Sequence, residues 1–198
     1  YDVDQIGQHY MFTNADNVFL ALKRQKNDKM TYLRSSNLQY TLETQCGFSV
    51  SAGFKYNTQE ATKMMPFEDG YGNVFKKYDE ALFNVTLRYA PGEKFYQTRS
   101  NRIPINLDAP VFALTQEYAP KGFLGSMNTI NKTEFSVQKR FWFSAFGYTD
   151  IILKAGKVWS EVNYPDLLIP NANLSYTIQP ESYALMNAFE FANDQYVS

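Results

Sequence analysis

The sequence predicts an all-β chain: an antiparallel transmembrane β-barrel, with about seven or eight strands visible, which would close a small barrel or supply part of a larger one. Three observations predict it. Several segments alternate apolar and polar residues almost without error, and their polar sides carry charges. Two strand candidates, beginning at Lys29 and Met127, exceed the usual globular strand of about 5–6 residues and suit a tilted span of about 9–11. Tight turns at 45–47 and 144–147 contrast with long connections at 57–78 and 156–180.

Side chains of a strand point alternately to its two faces, so a period of two marks a strand with one buried side. Asn17 to Lys23 is a short candidate, ended by Gln25, Lys26, Asn27 and Asp28. Lys29 to Thr44 follows, with Leu38, Tyr40 and Leu42 opposite Gln39, Thr41 and Glu43. Gln45, Cys46 and Gly47 make a tight turn, the glycine suited to positive φ. From Phe48 to Tyr56 the alternation is cleanest: Phe48, Val50, Ala52, Phe54 and Tyr56 oppose Ser49, Ser51, Gly53 and Lys55.

A polar connection runs from Asn57 to about Tyr78 and holds Pro66 and the turn cluster Asp69-Gly70-Tyr71-Gly72-Asn73. In the Ala81 to Tyr89 strand, Ala81, Phe83, Val85, Leu87 and Tyr89 oppose Leu82, Asn84, Thr86 and Arg88. Pro91-Gly92 ends it, residues 94–120 contain one more strand at Val111 to Tyr118, and Met127 to Phe143 is a long strand. There Phe135, Val137, Phe141 and Phe143 share a side with Lys139, opposite Lys132, Glu134, Ser136, Gln138 and Arg140. A turn at 144–147 leads into Tyr148 to Ala155; residues 160–180 are irregular around three prolines. Glu181 to Ser198 reads as strand rather than as a helix capped by Ser182.

Composition narrows the function. A chain of 198 residues with net charge −1 forms one domain and offers no basic field for nucleic acid. One cysteine, Cys46, and one histidine, His9, leave no disulfide framework and no Cys/His metal cluster. No apolar run reaches the roughly 18 residues of a transmembrane helix, which excludes helical spans but not strands. The chain begins at Tyr1 with neither an initiator Met nor a signal-peptide pattern, and reads as a piece of a longer protein.

Alternation alone does not say what the apolar side meets. A soluble sandwich or barrel turns it inward, and its aromatic loops would then bind a glycan or a protein. A membrane barrel turns it toward lipid, with Tyr40, Tyr56 and Tyr89 near the ends of the apolar sides as interfacial anchors. On that reading Phe48, Val50, Phe54, Phe83, Val85, Leu87, Phe135 and Val137 face lipid. Glu43, Lys55, Arg88, Lys132, Glu134 and Arg140 face the lumen, paired there as Glu43 with Lys55 and Glu134 with Arg140.

Specific stretches add to the pattern. They are LRYAPGEKF at 87–95, RIP at 102–104, PVF at 110–112, KRFWF at 139–143, LLIPNANLSY at 167–176, PESYALMN at 180–187 and EFANDQY at 190–196. Together they resemble the barrel region of a Bacteroidota family of outer-membrane proteins of uncharacterised function. The resemblance spans the whole chain, 1–198, as part of a single outer-membrane barrel domain, and its motifs concentrate in 80–198. It implies a larger protein in the bacterial outer membrane, with a carboxypeptidase-regulatory-like β-sandwich ahead of this region and further strands after it. It implies lipid and other subunits of an outer-membrane complex as partners, and no catalytic residues.

His9 lacks a second histidine, and Cys46 lacks a flanking Lys, Arg or His, so turn packing is its expected role. Glu68, Asp69 and Asn73 lack the full calcium-loop spacing. Asn84, Asn131 and Asn173 match glycosylation acceptors, two of them inside predicted strands. Phe141, Trp142, Phe143, Phe146 and Tyr148 suit an interfacial girdle better than a sugar platform. The expectation is a non-enzymatic protein with no catalytic set, no metal and no cofactor, and with a role in transport, envelope assembly or scaffolding. The connections at 57–78 and 156–180 are its expected contact surfaces.

Overall fold

The computed structural model describes residues 2–5, 29–68, 72–98, 102–106, 108–178, 181–187 and 189–198. The expected strand at Asn17 to Lys23, together with His9 and Asp69, lies outside them. Among the described residues twelve strands form, β1 (Asp2–Gln5), β2 (Met30–Glu43), β3 (Phe48–Glu60), β4 (Phe67–Glu68), β5 (Val74–Phe75), β6 (Lys77–Tyr89), β7 (Phe95–Gln97), β8 (Arg102–Pro104), β9 (Val111–Ala119), β10 (Ile130–Trp142), β11 (Tyr148–Val158) and β12 (Gln195–Val197). Among the described residues there is no α-helix.

Eight of these strands make one sheet in the order β1-β2-β3-β6-β9-β10-β11-β12, every neighbouring pair antiparallel. The all-β antiparallel expectation therefore holds. Among the described residues β1 and β12 are the edges of this sheet and do not pair with each other. The small hairpins β4–β5 and β7–β8 stand apart from it.

Register follows the alternation. Val50 lies between Leu42 on β2 and Leu87 on β6, and Leu87 in turn opposes Leu114 on β9. Leu114 opposes Phe135 on β10. A shift of one residue would interchange the two faces of a strand, so one apolar face continues across the sheet only in this register. The turn at 45–47 forms as expected, closed by Thr44 N donating to Phe48 O at 2.8 Å. Gly47 sits at φ 82°, and a Cβ there would meet the Ala90 carbonyl oxygen at 2.4 Å, so only glycine fits.

Three expectations need correction. The β3 strand runs four residues into the 57–78 connection, to Glu60, and β6 begins at Lys77, four residues before the Ala81 that the alternation suggests. Residues 94–120 hold the β7–β8 hairpin besides β9. Among the described residues of Glu181 to Ser198, only Gln195–Val197 is strand; those before it turn repeatedly, Phe189 at φ 58°.

Parts of the expected contact surfaces fold onto the sheet, while others, such as Met64, Val74, Trp159 and Tyr176, stay exposed. The tight turns at 45–47 and 144–147 lie at one end of the strands, and the connections at 61–76 and 159–194 at the other. At that second end Met65, Phe67 and Tyr78 form a buried cluster with Ala61, Phe75, Tyr164, Ile169 and Phe189 packed on it. Leu82, Ala119 and Ile130 form a second, covered by Val162. Both connections fold back onto the sheet because their apolar side chains have no other place to leave water.

Candidate functional site

The two faces of the sheet have inverted burial. On β6, Phe83, Val85 and Tyr89 are 43%, 42% and 44% exposed, while Leu82 and Asn84, which point the other way, are each 7% exposed. Along most of β6 and β10 the apolar face is bare and the polar face covered, whereas the second half of β2 is exposed on both faces. Phe48, Phe83, Val85, Leu87 and Phe135 are exposed, and Val50, Phe54 and Val137 half-buried. Their rows continue into exposed Leu38, Tyr40 and Leu42 on β2 and Ile151 and Leu153 on β11. Lys139 lies among them and leads its ammonium away to the Asp108 carbonyl oxygen at 2.5 Å.

On the polar face the 159–194 segment lies against the strands. Asn131 N donates to Ser160 Oγ at 2.9 Å, and Asn128 Nδ2 to Asn163 Oδ1 at 2.9 Å. The Lys154 ammonium on β11 pairs with Glu181, whose side chain is fully buried. Beside it Gly156 makes room for the segment and for β12: a Cβ there would lie 2.4 Å from Tyr196 Cε1 and 3.3 Å from Leu168 Cδ1. Leu168, Ala172, Asn173 and Leu174 are buried as a result.

The charged residues singled out from sequence share this face but find other partners than expected. Lys55 meets Glu117 at 3.5 Å, reaching across β6 to β9, and Lys132 meets Glu134 at 3.4 Å. Arg88 binds Glu93 at 2.7 Å, and Arg140 binds Asp150 through two contacts of 2.6 Å. The expected pairs fail on distance: Glu43 opposes Ser49, six residues along β3 from Lys55, and Glu134 and Arg140 are six apart on β10. Six strand residues span about 20 Å. Glu43 is exposed at the tight-turn end.

Between the two apolar clusters lies a group that the sequence did not reveal. Glu80 on β6 is 3% exposed, and its side chain is hydrogen-bonded to those of Asp166 and Gln59. Glu80 Oε1, Asp166 Oδ2 and Gln59 Oε1 are closed off from solvent without a hydrogen-bond partner. A hydrogen bond between two carboxyl groups requires a proton on one of them. Burial, with the charge of Glu117, pushes Asp166 up to about 6, although its bond to Glu80 and the charge of Lys132 pull the other way. Continuing the period of two from Asn84 and Leu82 back to Glu80 would have placed Glu80 on this face. No pattern marks Asp166 or Glu181, which arrive in loops.

Elsewhere the expected chemistry is sparse. Among the described residues no group of three or more His, Cys, Asp or Glu is placed to hold a metal ion. Asn84 and Asn131 lie within strands and Asn173 is buried. Cys46 is exposed rather than packed, and its thiol is held below the usual range, chiefly by the Thr44 hydroxyl at 3.0 Å.

An all-β antiparallel sheet, apolar where bare and polar where covered, defines the class. Residues 49–198 match the Family of unknown function (DUF5686) C-terminal domain, and the chain belongs to this family. No curated protein and no solved structure matches the chain.

Proposed function

We propose that this chain forms part of the barrel of an integral outer-membrane protein, with a non-enzymatic role in transport, envelope assembly or scaffolding of an outer-membrane complex. The inverted burial carries the reading. A soluble sheet turns its apolar side into a core, whereas here Phe83, Val85 and Leu87 stand bare and Asn84 and Ser136 are buried. Phe48, Val50, Phe54, Phe83, Val85, Leu87, Phe135 and Val137 then face lipid, and Lys55, Arg88, Lys132, Glu134 and Arg140 face the interior, with Glu43 at its rim. The eight strands belong to a larger closed barrel, since each unpaired edge group within lipid costs several kcal/mol. The resemblance to Bacteroidota outer-membrane proteins supports the same location, and a longer protein with a β-sandwich ahead of the barrel. Packing of 61–76 and 159–194 on the polar face favours a plugged interior over an open pore.

Fractionation of native cells tests this. The full protein is expected to stay in outer membranes through an alkaline carbonate wash and to change gel mobility on boiling. Release by the wash, with unchanged mobility, would refute the barrel and return the apolar face to a protein partner.

A further inference from the structure

The contact between Glu80 and Asp166 joins a wall strand to the 159–194 segment, and it is chemically unlike the other buried contact, Lys154 with Glu181. Opposite charges hold the second. The first brings two acids together where solvent is excluded, with one oxygen of each left unpartnered. We propose that Glu80 and Asp166 form a one-proton clasp that fastens the 159–194 segment to the wall and opens when that proton is lost. The Glu80 carboxyl donates to the Asp166 carboxylate; on opening, one proton leaves for solvent, and both groups end as hydrated carboxylates.

The neighbours from each packed element fit a proton rather than a metal. Gln59 on β3 bonds Glu80, Glu117 on β9 adds a third negative charge, and Lys132 on β10 adds a positive one. Glu117 is engaged with Lys55 and Lys132 with Glu134, so neither closes on the acid pair as a full partner. Two carboxyls and one amide offer a calcium ion far fewer than its usual six to eight oxygens.

The sign follows from proton counting. Apart and hydrated, both carboxyls ionise in the ordinary range near 4, whereas docked they retain a proton. Docking is therefore complete below the ordinary range near 4 and weakens steadily as pH rises above it, while the docked pair keeps a proton that the separated carboxyls have released. The last proton of a like-charged pair is held hardest.

This inference does not depend on what the bare face meets, and its test is separate from the fractionation. Hydrogen–deuterium exchange on the full-length protein would follow the amides of Leu168, Asn173 and Tyr183, which the segment bonds internally. Rates at pH 5 and pH 9 are corrected for intrinsic exchange. Wild-type protection is expected to fall at least about tenfold, the effect of a one-unit shift. In the double variant Glu80→Gln/Asp166→Asn, where an amide donates the bond and neither partner titrates, protection should change less than about twofold. Wild-type protection that is flat with pH would overturn the clasp. So would an equal fall in the double variant, or wild-type protection at pH 9 that is lost on chelating divalent ions.

Discussion

The two ends of this sheet are built on opposite terms. At the tight-turn end, Thr44 to Gly47 and Phe143 to Gly147 reverse the chain in a few residues, a longer stretch carrying the β7–β8 hairpin joins β6 to β9, and Phe146, Trp142 and Leu42 stand exposed. At the other end, long connections return to bury Met65, Phe67, Tyr78, Leu82 and Ile130 on the polar face. Strands of 13 residues, such as β3, β6 and β10, serve both ends at once. Order in one stretch of a strand comes from register and cross-strand neighbours, and in the next stretch from a small core made of loops. A strand here is therefore two environments in sequence, and substitutions should sort by which one they enter.

The largest effect is expected at the filled end. Phe67→Ala removes a ring that contacts Tyr78 at 5.0 Å and Phe75 at 5.6 Å between centroids. It should cost about 3–5 kcal/mol, as for other buried aromatics. Chemical denaturation should show the loss, with loops 61–76 and 159–194 losing exchange protection before the strands do. If strands and loops melt together at the wild-type midpoint, the loops are not a separate core.

A smaller and different effect is expected mid-strand. Leu87→Arg places a charge in the bare apolar band between Val50 and Leu114, at about 2–4 kcal/mol if that band lies at the centre of a bilayer. Ser51→Arg, one position from Val50 on the opposite face, should leave membrane retention and heat-modified mobility unchanged. Equal tolerance of both substitutions would remove the distinction between the faces.

The smallest effect belongs to the tight-turn end. Thr44→Val removes the hydroxyl that chiefly lowers the Cys46 thiol, so the pH profile of maleimide labelling should move upward without loss of fold. An unmoved profile would assign the depression to the Phe48 backbone instead.

How much was legible follows the same division. The bare stretches, Phe48 to Tyr56 and Phe83 to Tyr89, alternate cleanly because each face meets one kind of surroundings throughout. The filled end resisted reading for a physical reason: Tyr78 and Leu82 are apolar residues on the polar face, placed there because loops cover them. They break the alternation, so the beginning of β6 looked like connection. Charged positions could be assigned to a face, but not to partners. Lys55 reaches Glu117 across an intervening strand, a neighbour that exists only once register is known. The acid pair needed more still, because one member lies on a wall strand and the other 86 positions later in a loop.

The order of the strands has a consequence for how the molecule is made. From β1 to β12 each main strand pairs with the one before it, so the sheet can grow by one hairpin at a time, without waiting for distant partners. The 159–194 segment breaks that rhythm. It leaves β11 and contacts β6 and β10 before the chain returns as β12. The segment needs β6 and β10 in place to dock on, and β12 closes back on β11 beside it, with Tyr196 against Gly156. A chain that adds its strands in order therefore meets its filling late, between β11 and the β12 that completes the described sheet.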